Sequence, residues 1–315
     1  MPWHAVSTDD LEARLLDLQK STPNPQLGVF GPGSVSWKVN RESALFLAAG
    51  RAALLQLAHP WVAAAIAEHS RTLNDPIGRF HNTFRVMFTI SFGPLEQAFA
   101  AARHLHRLHE NIRGTLPQAT GCHPANSSYQ ANESAALAWV FATLVDSSLL
   151  AYELALPPLT PWEREQYYTE SLKSAALFGL GADDLPSNLA GFHSYLRFTL
   201  QSDKLGVSAA ARRLAHQLQN GSGLPVSVPF WYRALTLHLL PPRFRDEFQL
   251  RYGEREHRAS ERALHWIRGS YPHLPSGLRF VGPYNEVQQR LRGRFRPTLA
   301  VRLSNRIWVG QPALF

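Results

Sequence analysis

Apolar residues recur at helical spacing through most of this 315-residue chain, and no series of segments alternates apolar and polar positions as half-buried strands do. Leu11, Leu15, Leu16 and Leu18 behind Ser-Thr-Asp-Asp predict a short capped helix over residues 7–19. LGVFGPGSVSWKV then reads as a turn-rich loop with strand-like ends. From Arg41 to about Ala67 the pattern is helical and Ala-rich, and Pro60 bends or splits it because proline removes a hydrogen bond to the preceding turn. A second helix is predicted over Arg79–Ile90, joined to the first by about six residues that include NDPIG. PLEQAFAAARHLHRLHENIRG predicts a third, with Pro94 in its first turn and Gly114 as C-cap. Glu133 to about Leu154 is a fourth, capped by Asn132. Thr160-Pro161-Trp162-Glu163 has the form of a capping box and starts a helix reaching about Phe178. Further helices are expected near 189–200, 208–219, 228–237 and 242–267. The class is all-α: an N-terminal helix and linker (1–26), one globular helical domain (27–268) and a looser Pro/Gly/Arg-rich C-terminal extension (269–315).

Composition agrees with a folded chain, since 45% hydrophobic and 11% aromatic content excludes general disorder. Charge adds a location. Between Arg243 and Arg306 there are 14 Arg, no Lys and 6 acidic residues, which accounts for the whole formal charge of +8. These arginines are dispersed among apolar and acidic residues with no zinc-finger or RNA-binding signature, so nucleic acid is not expected, while peripheral membrane contact stays open. The single Cys122 excludes an intrachain disulfide framework and any multi-cysteine metal site. The N-terminus lacks a basic region followed by an apolar core, and Ala44–Ala67 carries Arg51, Gln56, His59 and Pro60. A buried core helix in a cytoplasmic protein without a transmembrane segment is the expectation.

Gly50–Thr83 sets His59, His69 and an Arg79/Thr83 pair among apolar or small residues, where polar side chains must find partners. That pattern fits a cofactor pocket and equally a long core helix with a few satisfied polar groups. Arg79 and Thr83, four residues apart, face one direction and can bind a carboxylate or bound oxygen, or simply contact Asp75. On the third helix His104, His106 and His109 form H-x-H-x-x-H, in which His106 and His109 share a face and His104 points away. A lone neutral imidazole in an apolar space suits an axial haem ligand, whereas two at i, i+3 can begin a zinc or non-haem iron site. H-E-x-x-H, GK[ST] and G-x-S-x-G are all absent.

LGVFGPGSVSWKV, RAALLQLAHPWVAAAIAEHS, NDPIGRFHNTFRVMFTISFG, LHENIRG, YQAN, AWVFATLVDSSLLAYE and YYTESLKSAALFG resemble, in order and spacing, successive blocks of a haem-containing oxygenase family. That family includes the latex-clearing (rubber oxygenase) proteins and the mpaB-type endoplasmic-reticulum oxygenases. The resemblance covers residues 27–179, more weakly to 244.

The resemblance implies an all-helical domain enclosing one haem b, dioxygen as co-substrate, and oxidative cleavage of an isoprenoid carbon–carbon double bond. It implies His109 as proximal iron ligand, Arg79 and Thr83 on the pocket wall as donors to the reaction, and a pocket threonine at Thr143. Two positions depart from the latex-clearing pattern. Asn82 replaces a lysine able to cap the iron, which leaves His59 as the candidate distal ligand, and Phe141 replaces a histidine in WVF. A hydrophobic, prenylated or terpenoid small molecule is expected rather than rubber. The alternatives are a haem-binding sensor or carrier without turnover, and a non-haem metal enzyme built on His104, His106 or His109.

Overall fold

The computed structural model describes residues 4–69, 75–223 and 227–315. Sixteen α-helices and one two-stranded sheet are present among them, as the all-α reading expects. In chain order the first helices are α1 (Thr8–Ser21), α2 (Val35–Asn40), α3 (Ala49–Leu57), α4 (Pro60–His69), α5 (Pro76–Phe92) and α6 (Leu95–Glu110). After the antiparallel pair β1 (Arg113–Thr115) and β2 (Ser128–Gln130) come α7 (Ser134–Ala155), α8 (Pro161–Ala176), α9 (Leu189–Gln201) and α10 (Ala209–Asn220). The chain closes with α11 (Phe230–Leu239), α12 (Pro242–Glu247), α13 (Glu254–Ser270), α14 (Ser276–Arg279), α15 (Gly282–Leu291) and α16 (Leu299–Val309).

Local chemistry explains several boundaries. Ser7 and Asp10 exchange side-chain and backbone hydrogen bonds at the start of α1, and Thr160 and Glu163 do the same for α8. Pro60 splits the predicted first long helix cleanly into α3 and α4. Most of the expected α4–α5 connection, residues 70–74, lies outside the described residues.

Four local expectations change. Val35–Asn40 is helical rather than strand-like, because the Ser34 side chain accepts from the Trp37 amide and caps it. The third helix stops at Glu110, not Gly114, where backbone pairing of Gly114 with Tyr129 takes over. The predicted 242–267 helix divides into α12 and α13. Asn132 does not cap α7: Glu133 occupies the N-cap, and the Asn132 side chain donates to the His106 carbonyl at 3.2 Å.

The main core forms around α7, with Trp139, Phe141, Ala142 and Val145 packed against Leu54, Leu55 and Leu57 of α3. The Trp139 Nε1–H is satisfied by the Leu55 carbonyl at 2.8 Å, so the indole is buried without an orphaned donor. Among the described residues α7 is the one helix long and apolar enough to cross a membrane, rather than the Ala44–Ala67 stretch; 67% of its most apolar window is buried inside the protein, as in a core helix.

The Arg-rich C-terminal segment is more closely packed than its composition implies. Val281, Tyr284, Val287 and Val309 join Trp37, Phe88 and Phe92 in a second core that fastens α15 and α16 to α5. Glu286, buried, accepts from the Asn305 side chain at 2.6 Å and from the Leu314 and Phe315 amides at 2.9 and 3.1 Å. Sparse apolar residues at helical spacing suffice here because Glu286 is paired and the arginines of α16 face solvent, while the buried Asn305 Oδ1 is left without a partner.

Candidate functional site

α6 presents a buried stripe at Ala98, Ala102 and His106, each four residues after the last, and His109 extends it one further turn. Ala102, Leu105, His106 and His109 line a narrow cleft of about 10 Å³ closed by Asn132, Leu137, Leu177 and Phe178. The β1–β2 hairpin turns the chain back over the end of α6, and two backbone bonds hold the returning strand: Ala131 N–H to Ile112 O at 2.9 Å and Val6 N–H to Asn132 O at 2.8 Å. That strap places the Asn132 amide beside both histidines.

The histidines then differ in occupation. His104 is exposed. His106 is buried, with its Nε2 3.5 Å from both the Thr8 hydroxyl and the Glu110 carboxylate. His109 is the imidazole left to the cleft. Burial pushes its pKa down to about 4, against an opposing hydrogen bond from the Asn132 side chain and with His106 and Arg79 adding positive charge nearby. The helix C-terminus favours a cation by up to about 1 kcal/mol at ordinary exposure, which burial outweighs, so the ring is neutral at physiological pH. Because the Asn132 Nδ2 is committed to the His106 carbonyl, its Oδ1 is the atom able to accept from the His109 ring N–H. One imidazole nitrogen of His109 keeps its lone pair.

Arg79 reaches this site from the first turns of α5, which Asp75 caps by accepting from the Gly78 amide. Its side chain keeps solvent exposure along its length, while protein crowding around the guanidinium lowers its pKa. Thr83, one turn on, is exposed, as is Asn82. The structure places Arg79 near His109, with Thr83 along the same helix as Arg79. Sequence reasoning misses Asn132, whose signal was its place in YQAN directly after the hairpin strand.

His59 and Thr143 lie elsewhere in the contact network. His59 is buried against Trp61 and His123, ring centroids 5.9 and 5.5 Å away, and its Nδ1 has no hydrogen-bond partner. Thr143 is fully buried in α7; its hydroxyl donates to the Val140 carbonyl at 2.7 Å and accepts from Gln56 at 3.1 Å. His69 contacts the Arg113 carbonyl at 3.1 Å. Arg51 is buried against Asp146, Ser147 and the Leu239 carbonyl.

The His59 environment predicts a pH effect. Burial lowers its pKa to about 3, below the 6.5 of the unfolded chain, so between those values the unfolded state binds the extra proton. Stability from this group is complete above about pH 6.5 and declines as pH falls, by about 2 kcal/mol at pH 5. Denaturant midpoints measured down to pH 5 are expected to fall less steeply in His59→Phe than in the wild type. Equal slopes would remove His59 as the cause.

The donor chemistry at the cleft suits a haem, with a neutral imidazole among apolar side chains and an arginine near it, while the orphaned Nδ1 of His59 belongs to the separate Trp61–His123 cluster. The cleft alone, about 10 Å³, has room for about one water molecule against the usual 300–1,000 Å³ of ligand pockets, so a macrocycle needs the surrounding side chains to move apart. No three-donor group of His, Cys, Asp or Glu forms around His106 and His109 among the described residues, which disfavours a non-haem metal there. A larger open cleft of about 340 Å³ lies between Pro32–Arg41, Trp162 and Tyr284, but its Lys38 and Glu163 neutralise each other and no histidine lines it.

Comparison with curated proteins and with solved structures finds no match. A family model, "ER-bound oxygenase mpaB/B'/Rubber oxygenase, catalytic domain", matches residues 37–269, ending where α13 ends and spanning α5, α6, the hairpin and Asn132. With well over half its length matched, the chain belongs to the mpaB/rubber oxygenase catalytic-domain family.

Proposed function

We propose that this chain is a haem-b-dependent oxygenase that adds dioxygen across a carbon–carbon double bond of an apolar small molecule, of isoprenoid or prenylated type. Both oxygen atoms enter the products, one in each of two carbonyl fragments, so no external reductant is consumed per turnover. The observation that carries the reading is His109: a neutral imidazole, oriented by Asn132, aimed into an apolar cleft in a member of an oxygenase family.

A bound haem supplies the dioxygen chemistry that no side chain here provides. His109 holds it through the ring nitrogen turned away from Asn132, and the Asn132 amide fixes ring orientation and raises ligand basicity. Arg79 offers a fixed cation for a haem carboxylate or for negative charge developing on oxygen, and Thr83 a hydroxyl donor along the same face. His59, with its unpartnered Nδ1, is the second imidazole open to iron. Thr143, proposed from the resemblance as a pocket threonine, has its hydroxyl committed to Gln56 and the Val140 carbonyl inside the α3–α7 core. Leu105, Leu137, Leu177 and Phe178 exclude water and favour an apolar substrate. Oxygen uptake by the haem-loaded protein, with isoprenoid alkenes as substrates, tests the activity. Stoichiometric appearance of two carbonyl fragments supports it, and haem binding without uptake supports a sensor or carrier instead.

The surface suits delivery of such a substrate from a bilayer. Leu299, Leu303 and Ile307 repeat every fourth residue on the outer face of α16, and with Phe295 they are 50–78% exposed. Arg292, Arg294, Arg296, Arg302 and Arg306 surround them, all exposed. An apolar stripe framed by arginines matches an anionic membrane surface. Cosedimentation with phosphatidylserine vesicles is expected to drop at least tenfold in Leu299→Asp/Leu303→Asp/Ile307→Asp. Retained cosedimentation would refute the contact, and a monomer–dimer shift on the same substitutions would assign the stripe to a second copy.

A further inference from the structure

We propose that His238, His257 and Glu261 form a binding site for one divalent transition-metal ion of the zinc class, separate from the His109 cleft. His257 and Glu261 lie four residues apart on α13, so helix geometry sets both side chains on one face. His238, near the end of α11, faces them from the neighbouring helix. Among the described residues this is the one group of three His, Cys, Asp or Glu side chains whose ligand atoms all lie within 4.8 Å of one another. His238 Nε2 and Glu261 Oε1 are 3.6 Å apart. Two donors on a tetrahedral zinc, each at about 2.0–2.2 Å, stand about 3.4 Å apart, so this pair is already near ligating separation.

A second observation concerns the atoms on the other side of the rings. The Tyr252 hydroxyl lies 2.7 Å from His238 Nδ1 and 3.3 Å from His257 Nδ1. One phenol oxygen therefore meets the Nδ1 atoms of both histidines and leaves both Nε2 atoms for a common centre, the arrangement by which an outer-shell acceptor fixes tautomer and ring direction at metal sites. Arg245 stacks over the Tyr252 ring, 4.4 Å from its centroid, which holds the phenol in place. Its charge opposes a cation and selects for metals whose affinity comes from imidazole rather than from net charge. Burial lowers the His238 pKa, with the Glu261 carboxylate opposing and His257 and Arg245 adding to the effect.

With two imidazoles and one carboxylate the protein supplies three donors, which leaves a fourth position to water, and partial exposure of all three residues gives access from solvent. The haem reading uses none of these residues, so the two can fail separately.

Equilibrium dialysis of the purified protein against micromolar Zn²⁺, with elemental analysis of zinc per chain, tests the site. Wild type is expected to take up one zinc more than His257→Ala or Glu261→Gln, each checked for native helicity. Tyr252→Phe is expected to bind 10- to 100-fold more weakly with the same stoichiometry. Equal zinc in wild type and both ligand variants, or no uptake at micromolar zinc, would overturn the site. Unchanged affinity in Tyr252→Phe would overturn the orienting role of the hydroxyl.

Discussion

His109→Ala is expected to abolish haem retention, with loss of the Soret band from the purified protein and of all oxygen uptake. The substitution removes the one cleft imidazole not engaged elsewhere, since His106 is held between Thr8 and Glu110 and His104 faces solvent. Stability should change little, because a half-buried ring at the end of α6 contributes less than a core residue. Loss of haem with preserved helicity is therefore the specific outcome. Asn132→Ala makes a graded companion: the imidazole remains but loses its orienting amide, and outer-shell changes of this kind cost about 10–100-fold in affinity.

Glu42→Ala is expected to destabilise the fold by about 3–5 kcal/mol, the cost of removing one partner from a buried ion pair. The Glu42 carboxylate is almost fully buried and accepts both arms of the Arg279 guanidinium at 2.9 Å, together with the Tyr271 hydroxyl at 3.0 Å. Arg279 and Tyr271 follow α13, so this carboxylate ties the start of the C-terminal segment to the helical domain. Without it the guanidinium loses its acceptor in a partly desolvated space, while the Tyr271 hydroxyl can still donate to the Arg279 carbonyl at 3.1 Å. Thermal or denaturant unfolding measures the loss. A change below about 1 kcal/mol would mean that water replaces the carboxylate and that the segment docks through its apolar contacts alone.

Where the signal was local, the sequence was readable. The capping boxes at Ser7 and Thr160, the break at Pro60 and the shared face of His106 and His109 follow from spacings of three to four residues. Features that depend on distant partners were not. Asn132 has the composition of a helix cap, and only the strap formed by the residues after His4 and by the hairpin turns its amide toward α6. Val281, Tyr284, Val287 and Val309 are diluted by arginine and proline, so the docking of α15 and α16 on α5 emerges only when Phe88, Phe92 and Trp37 are placed opposite them. His238 and Glu261 are 23 positions apart and on different helices, a separation that no linear motif marks.

The Gly50–Thr83 stretch illustrates the same limit at the functional site. Of its three histidines, His59 joins a buried ring cluster while His69 and His81 meet backbone carbonyls, and its Arg79 lies near a histidine on the next helix. Burial and local contacts decide each role: the same residue type is a neutral ligand candidate at His109, a buried ring held between Thr8 and Glu110 at His106 and a surface group at His104.

Absorption spectra of the purified protein in the oxidised, reduced and CO-bound states test the central claim most directly. The account predicts a Soret band with one haem b per chain, a CO-shifted reduced spectrum of a histidine-ligated iron, and loss of both in His109→Ala. A full complement of haem in His109→Ala, or no haem bound by the wild type when haem is supplied, would contradict it.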